Sequence, residues 1–396
     1  MADRYEVSVA GVAEAPAVPT LRWEEPPEGP VLVLLDQTRL PAEEVELFCT
    51  DVPALVQAIR SLAVRGAPLL GIAGAYGVAL AAARGYDVAE AAEALAHARP
   101  TAVNLAYGVR RAAGAYREAL DGPGGNGPGA VERAAAAALA EARAVHQEDA
   151  WASARMAEHG LGLLDELLPG GGHRILTHCN TGALVSGGEG TALAVILAAH
   201  RAGRLRRLWV DETRPLLQGA RLTAYEAARA GMAYTVLADG AAGSLFAAGE
   251  VDAVLIGADR VTADGSVANK VGSYPLAVLA RYHHIPFVVV APTSTVDLGT
   301  AEGALIEVEQ RPGHEVTEFP FPFVPGFGTE PGIGTAVAPL GAQAYNPAFD
   351  VTPPELVTAL VTEAGVVSPV TREGVAKLCS TSRLGKSRSG NGMMAE

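Results

Sequence analysis

Two short apolar runs end in groups that can move protons. Cys179 comes two residues after Arg174–Thr177, and Asp259 two residues after Ala253–Gly257. If the two runs are neighbouring strands of one parallel sheet, a thiol and a carboxyl face a common crevice beyond their carboxyl ends. A thiol at the start of the next helix is favoured as thiolate, whereas a carboxyl walled by Ile256, Ala258 and Val261 is pushed toward its protonated form. One group then gives a proton while the other takes or stabilises one. Each also has a plainer reading: a solitary cysteine packs as a small hydrophobe, and an aspartate after a strand caps a turn or helix.

Anion-binding candidates come from both halves of the chain. Arg65-Gly66-Ala67-Pro68 precedes a charge-free segment with helical spacing, and Gly66 with Ala67 lets backbone N–H groups approach an anion at a helix start. Arg99 offers a second guanidinium, and Asn269-Lys270 follows the Asp259 run after a turn at Asp264-Gly265. A salt bridge is the alternative for either arginine, and a helix cap for Asn269. In Asp211-Glu212-Thr213-Arg214-Pro215 and Gln218-Gly219-Ala220-Arg221 the mixed charges read as an ion-pair and capping network. Gln218 is the residue assigned to a ligand, because an amide both donates to and accepts from sugar hydroxyls. His283-His284 falls at a helix end, where imidazole meets the dipole, and reads as structural.

These residues need elements to position them. Glycine-rich breaks at 121–129 and 169–172 are loops, and the second is the expected domain boundary. Ahead of it, after a strand near 30–36, helical spacing covers 53–63, 68–84, 87–97, 101–120, 130–147 and 150–167. Beyond it come strand-like runs at 174–177, 207–210, 233–237, 253–257 and 287–291, alternating with helices near 189–202, 217–230, 241–248 and 271–283. The expected α/β architecture is a mostly helical N-terminal domain over 1–168 and a Rossmann-like parallel-sheet domain over 173–379. A tail over 380–396, with Arg383, Lys386 and Arg388 as a solvated run, is expected to be disordered.

Composition removes several functions. With 49% hydrophobic and 19% charged residues in 396, disorder is not the main state. Thirty basic against 44 acidic residues give a net charge of −14, which disfavours nucleic acid as partner. Cys49, Cys179 and Cys379 have no metal-ligand spacing, so no metal site and a reducing compartment are expected. The N-terminal residues lack a signal-peptide pattern, which makes the cytoplasm the expected location. Gly66–Ala83 carries no charge, but its alternating glycine and alanine suit a helix packed inside protein better than a membrane span. Gly187-Gly188-Glu189-Gly190 has the wrong spacing for a dinucleotide fingerprint and no Walker A sequence occurs, so neither a dinucleotide nor ATP is expected as cofactor.

Eight segments together carry a resemblance: Arg65-Gly66-Ala67-Pro68, Arg99-Pro100-Thr101-Ala102-Val103-Asn104-Leu105, Thr177-His178-Cys179-Asn180-Thr181-Gly182, Asp211-Glu212-Thr213-Arg214-Pro215, Leu217-Gln218-Gly219-Ala220-Arg221, Gly257-Ala258-Asp259-Arg260, Asn269-Lys270 and Tyr345-Asn346-Pro347-Ala348-Phe349-Asp350. From about Val52 to Gly365 the chain resembles the S-methyl-5-thioribose-1-phosphate isomerases, relatives of the regulatory subunits of translation initiation factor 2B. The resemblance implies a cofactor-free aldose–ketose isomerase of methionine salvage acting on a sugar phosphate, with Asp259 as proton donor and Cys179 as its acid–base partner or transition-state stabiliser. It also implies substrate binding by Arg65, Gly66, Ala67, Arg99, Gln218, Asn269 and Lys270, and a homodimer. Two features depart from the family. Leu216-Leu217 stands where an aromatic often precedes the glutamine, and Arg311–Leu340, with Phe319, Phe321, Phe323 and Phe327, is longer than expected. That insert is read as a surface loop, with a lid or a dimer contact as the other readings. Rival functions are an isomerase of ribose 1,5-bisphosphate or another 5-substituted ribose 1-phosphate, and a non-catalytic regulatory subunit, which would be expected to have lost the Cys179–Asp259 pair.

Overall fold

A computed structural model describes residues 19–99, 102–123, 127–319 and 335–389. The chain begins with a small antiparallel sheet of β1 (Leu21–Glu24), β2 (Val31–Leu35) and β3 (Glu46–Cys49), then forms α1 (Val52–Arg60), α2 (Ala67–Ala83), α3 (Val88–Ala96), α4 (Val103–Asp121) and α5 (Ala130–Leu167). Helix α2 is apolar on every face, and 16 of its 17 residues are buried, as befits the central helix of a bundle. Its backbone meets that of α4 directly: a Cβ on Gly108 would lie 1.9 Å from the Gly71 carbonyl oxygen, so this crossing requires glycine. No helix among the described residues is long and apolar enough to cross a membrane.

Helix α5 corrects the expected pair at 130–147 and 150–167, since it runs unbroken for 38 residues. Glu148-Asp149 contains no helix breaker, and both charges serve neighbouring elements. Glu148 accepts from Arg111 at 2.7 and 2.9 Å, and Asp149 accepts the Gly187 N–H at 2.7 Å. The helix belongs to two hydrophobic cores. Ala138, Ala142 and Val145 pack with α2 and α4, while Ala152, Met156, Leu163 and Leu164 pack against the large sheet. Gly170, Gly171 and Gly172 then turn the chain through three left-handed residues into that sheet.

The second half contains β4 (His173–Thr177), α6 (Ala192–Arg201), β5 (Leu205–Asp211), α7 (Ala224–Arg229), β6 (Tyr234–Leu237), α8 (Ala242–Ala247), β7 (Ala253–Ile256), β8 (Arg260–Thr262), β9 (Val267–Lys270), α9 (Ser273–Tyr282), β10 (Phe287–Val290) and β11 (Val296–Asp297). It continues with α10 (His314–Thr317), β12 (Glu318–Phe319), β13 (Thr335–Ala336), β14 (Phe349–Thr352), β15 (Ala359–Thr362), β16 (Gly365–Val367) and α11 (Arg372–Ser389). Seven strands form one sheet in the order β16-β15-β10-β7-β4-β5-β6, parallel throughout except at β16. The chain winds outward from β4 to β5 and β6 on one side, and from β7 to β10 and β15 on the other. The winding therefore switches between β4 and β7, where a doubly wound sheet opens its crevice.

A second sheet, β11-β8-β9-β14, closes over that crevice and had no separate signal in the sequence. The tail also differs from its expected disorder: α11 continues through 380–389. Its first turns bury Val375, Leu378 and Cys379, and a helix anchored by packing propagates from there. Residues 390–396 lie outside the described residues.

Candidate active site

All nine residues singled out for chemistry or binding line one cleft at the β4–β7 switch point: Cys179, Asp259, Arg65, Gly66, Ala67, Arg99, Gln218, Asn269 and Lys270. The helical half supplies one wall, with Arg65 and the start of α2, and the sheet supplies the floor.

Cys179 is held in a strained loop and not, as expected, at the start of a long helix; α6 begins only at Ala192. Its φ is 62°, and Thr213, beyond the neighbouring strand β5, has φ 66°. The two left-handed residues are tied together, since the Cys179 N–H donates to the Thr213 hydroxyl at 2.8 Å. On its other side the Cys179 carbonyl accepts the Thr223 hydroxyl at 2.6 Å. Non-glycine residues in this region carry strain of about 1–3 kcal/mol each and persist where surrounding contacts fix them. Here that fixation orients the thiol. Arg65 reaches it from across the cleft, with Nη2 3.5 Å from Sγ and Nη1 donating to Asn180 Oδ1 at 3.0 Å.

Asn180 passes this contact inward, donating to the Glu226 carboxylate, whose other oxygen accepts the Leu184 N–H at 3.2 Å. Burial pushes the Glu226 carboxyl up to about 7. Asn180 lines the cleft and was not singled out from the sequence. Its place directly after Cys179 is the signal that could have found it.

Asp259 projects from the end of β7, its N–H donating to the Ala268 carbonyl of β9 at 2.9 Å. Burial holds its carboxyl above the ordinary range, against the opposing pull of Lys270, Arg99 and Arg65. Lys270 is buried as well, and burial lowers its ammonium group despite Cys179 and Asp259 nearby. It lies over the Phe349 ring, 5.5 Å from the centroid, because β14 pairs with β9 in that register. Asn269 donates to Ser273 Oγ at 2.8 Å, and Gly272, not Asn269, caps α9.

Gly66 caps α2 with φ +90°, a conformation that favours glycine, and a Cβ there would overlap Val185. The first turn of α2 thereby opens into the cleft. Gln218 precedes a π-helical turn at Gly219–Thr223 that replaces the regular helix expected from 217. Its side chain is 4% exposed and Oε1 has no hydrogen-bond partner, which leaves an acceptor available to a ligand hydroxyl.

The sequence reading missed Arg311, which also lines the cleft. The segment at 309–311 pairs with 346–348, as the Arg311 N–H donates to the Asn346 carbonyl at 2.9 Å and the Ala348 N–H to the Glu309 carbonyl at 2.8 Å. The long insert is thus rooted in the site. Arg214 donates to the Val316 carbonyl at 2.9 Å and lies 4.9 Å from the Phe319 ring centroid. Phe321, Phe323 and Phe327 fall outside the described residues.

One grouping among the described residues, His178 with Asp211 and Asp239, has metal-like proximity. Its donors are engaged within the protein except Asp211 Oδ1, which is buried without a hydrogen-bond partner. His178 Nδ1 is 3.0 Å from Asp211 Oδ2 and its Nε2 donates to the Val271 carbonyl at 2.8 Å, while Asp239 accepts the N–H groups of Thr213 and Arg214 at 2.8 and 2.7 Å. Burial opposes the imidazolium, but Asp211, Asp239 and the Val271 carbonyl together raise the His178 pKa. The grouping ties the ends of β4 and β5 to the turn after Lys270.

Known proteins resemble this chain in sequence and fold over nearly its whole length. The sequence model of the initiation factor 2 subunit family matches residues 63–369. A methylthioribose-1-phosphate isomerase of Anaeromyxobacter sp. (strain Fw109-5) is 48% identical over 353 residues, 88% of this chain and 95% of the relative. Among solved structures, 5-methylthioribose 1-phosphate isomerase from Pyrococcus horikoshii OT3 superposes with a TM-score of 0.78 at 34% identity, covering 94% of this chain and 99% of that one. The delta subunit of translation initiation factor eIF-2B from A. fulgidus gives 0.73 at 39% identity, covering 92% and 100%.

Proposed function

We infer the reaction from one premise: the chain belongs to the initiation factor 2 subunit family, and its curated relatives at 44–48% identity are methylthioribose-1-phosphate isomerases. It is an aldose–ketose isomerase of methionine salvage, converting S-methyl-5-thio-α-D-ribose 1-phosphate to S-methyl-5-thio-D-ribulose 1-phosphate. The observation that carries the site assignment is the single cleft in which a thiol, a carboxyl biased toward its protonated form and an anion cradle converge.

The chemistry explains the residue types. A phosphorylated hemiacetal cannot open by itself, so the ring oxygen must receive a proton as its bond to C1 breaks. Asp259 gives that proton, which its raised pKa favours. The hydrogen at C2 then moves to C1. It leaves as a proton taken by Cys179 and returned to C1, or it crosses directly as a hydride; on either route the C2 hydroxyl proton goes back to Asp259 as C2 becomes the ketone. Arg65, Arg99, Lys270 and the first turn of α2 hold the phosphate, and Gln218 and Asn269 meet hydroxyls. Leu62, Pro68, Val185 and Leu216 line the same cleft and suit a thiomethyl group. A cytoplasmic homodimer completes the reading, and Cys49 and Cys179, neither in a disulfide, support the reducing compartment.

The test is an NMR assay with S-methyl-5-thioribose 1-phosphate in deuterated water, beside Cys179→Ser and Asp259→Asn. Ketose formation lost in both variants supports the pair. Deuterium at C1 indicates the proton route, and its absence the hydride route. No turnover by well-folded wild type would refute the isomerase reading and favour a regulatory subunit.

A further inference from the structure

Four cations line the cleft: Arg65, Arg99, Lys270 and Arg311. Arg311 is committed on every nitrogen. Its Nε donates to both Glu315 oxygens at 2.9 Å, its Nη2 also bonds Glu315, and its Nη1 donates to Glu309 Oε1 at 3.0 Å. The second Glu309 oxygen accepts Arg99 Nη2 at 3.1 Å. Glu309 therefore clasps two guanidinium groups, one from the connection between α3 and α4 and one from the base of the insert. Burial raises its pKa, but the two arginines outweigh burial and keep the carboxylate ionised.

Charge balance gives this clasp a consequence. With the Cys179 thiol neutral, the four cations face Glu309, Glu315 and Asp259, leaving one net positive charge with Asp259 ionised and two with it protonated. One phosphate dianion neutralises that excess. A second dianion would stand uncompensated in a poorly solvated cleft, a repulsive element of the kind that sets specificity. Resting on the isomerase reading above, we propose that Glu309 is a specificity-determining residue: by neutralising Arg99 and Arg311 across the cleft, it leaves cationic charge for one phosphate and rejects sugars phosphorylated at both C1 and C5.

The experiment measures kcat/KM for S-methyl-5-thioribose 1-phosphate and for ribose 1,5-bisphosphate, with wild type and Glu309→Gln. The ratio is expected to move at least tenfold toward the bisphosphate, mainly through its KM, and adding Arg311→Met should cancel the gain. If Glu309→Gln does not fold, Glu315→Gln frees Arg311 from its other side and should move the ratio in the same direction. A folded variant with both kcat/KM values lowered together and a ratio unchanged within twofold means that Glu309 merely orients Arg99, and overturns the proposal. Wild type that turns over the thiomethyl substrate poorly or not at all removes the isomerase reading itself, and the proposal with it.

Discussion

Gly66→Ala is expected to separate phosphate binding from catalysis. The substitution meets two obstacles of known size. At φ +90° an L-residue carries strain of about 1–3 kcal/mol. Its Cβ would also lie 2.3 Å from Val185 Cβ and 2.5 Å from Cγ1, far inside contact distance, and overpacking of this kind costs about 1–3 kcal/mol. The sum is a loss of about 2–6 kcal/mol, read by urea unfolding. Relief of either obstacle displaces the start of α2 together with Arg65, whereas Cys179 and Asp259 are held by strand ends, so KM should rise several-fold more than kcat falls. Val185→Gly isolates the steric part, because it removes both Cβ and Cγ1. Alone it empties a site where Val185 is 4% exposed and destabilises by about 2–4 kcal/mol. In the Gly66→Ala background it removes the overlap, so the loss in the double variant should fall short of the sum of the two single losses. The reasoning is refuted by additive losses, or by Gly66→Ala lying within 0.5 kcal/mol of wild type with unchanged KM.

Asp259→Asn should lower kcat by about 10²–10⁴ without loss of fold, the usual contribution of a positioned general acid. Because burial raises the Asp259 pKa, activity should persist above the ordinary carboxylate range and fall as pH rises through the shifted value; an alkaline limb near pH 4 would contradict this. Gln218→Met removes a buried acceptor without a partner, so stability should hold or rise by about 1 kcal/mol while kcat/KM drops at least tenfold. Lower stability with unchanged kinetics would make Gln218 structural. Glu226 binds its proton more tightly folded, at about 7, than unfolded, at 4.5, so the folded state holds more protons between those values. Stability should therefore decline by up to about 3 kcal/mol as pH rises across that window, and the decline should flatten in Glu226→Gln. Equal pH slopes in the two proteins would reject the assignment.

Much of the catalytic floor was legible because it depends on local pattern. Strand β7 is a continuous apolar run, β4 is buried except at Arg174, and the polar residues just past their ends had to face the crevice of a parallel sheet. Cys179 and Asp259 follow from that rule. The helical half was equally plain in α2, where alanine and glycine replace every charge. Illegible features depend on distant partners. Nothing local says that Glu148-Asp149 continues a helix, since the reasons are Arg111 and Gly187. Strands β8, β9 and β14 are short and include charged or polar residues such as Arg260, Asn269 and Lys270, so they resemble loops until they pair. Arg311 was hidden for a related reason: it stands between Gln310 and Pro312-Gly313 with no strand or helix pattern, and only pairing of 309–311 with 346–348 turns its side chain to the cleft.

The same contrast explains how the labour of the site is divided. The proposed proton transfer needs groups fixed to fractions of an ångström, and Cys179 and Asp259 follow directly on the ends of paired parallel strands. Anion binding, as proposed, tolerates more play, and its arginines come from connections: Arg65 before α2 and Arg99 after α3. Helix α5 reconciles the two requirements, because it packs into both hydrophobic cores and so prevents the phosphate wall from sliding relative to the floor. Polar ties across the cleft, Arg65 to Asn180 and Arg99 to Glu309, then set the final spacing. A loss in one tie should alter affinity before it alters the chemical step, whereas a loss at the strand ends should do the reverse.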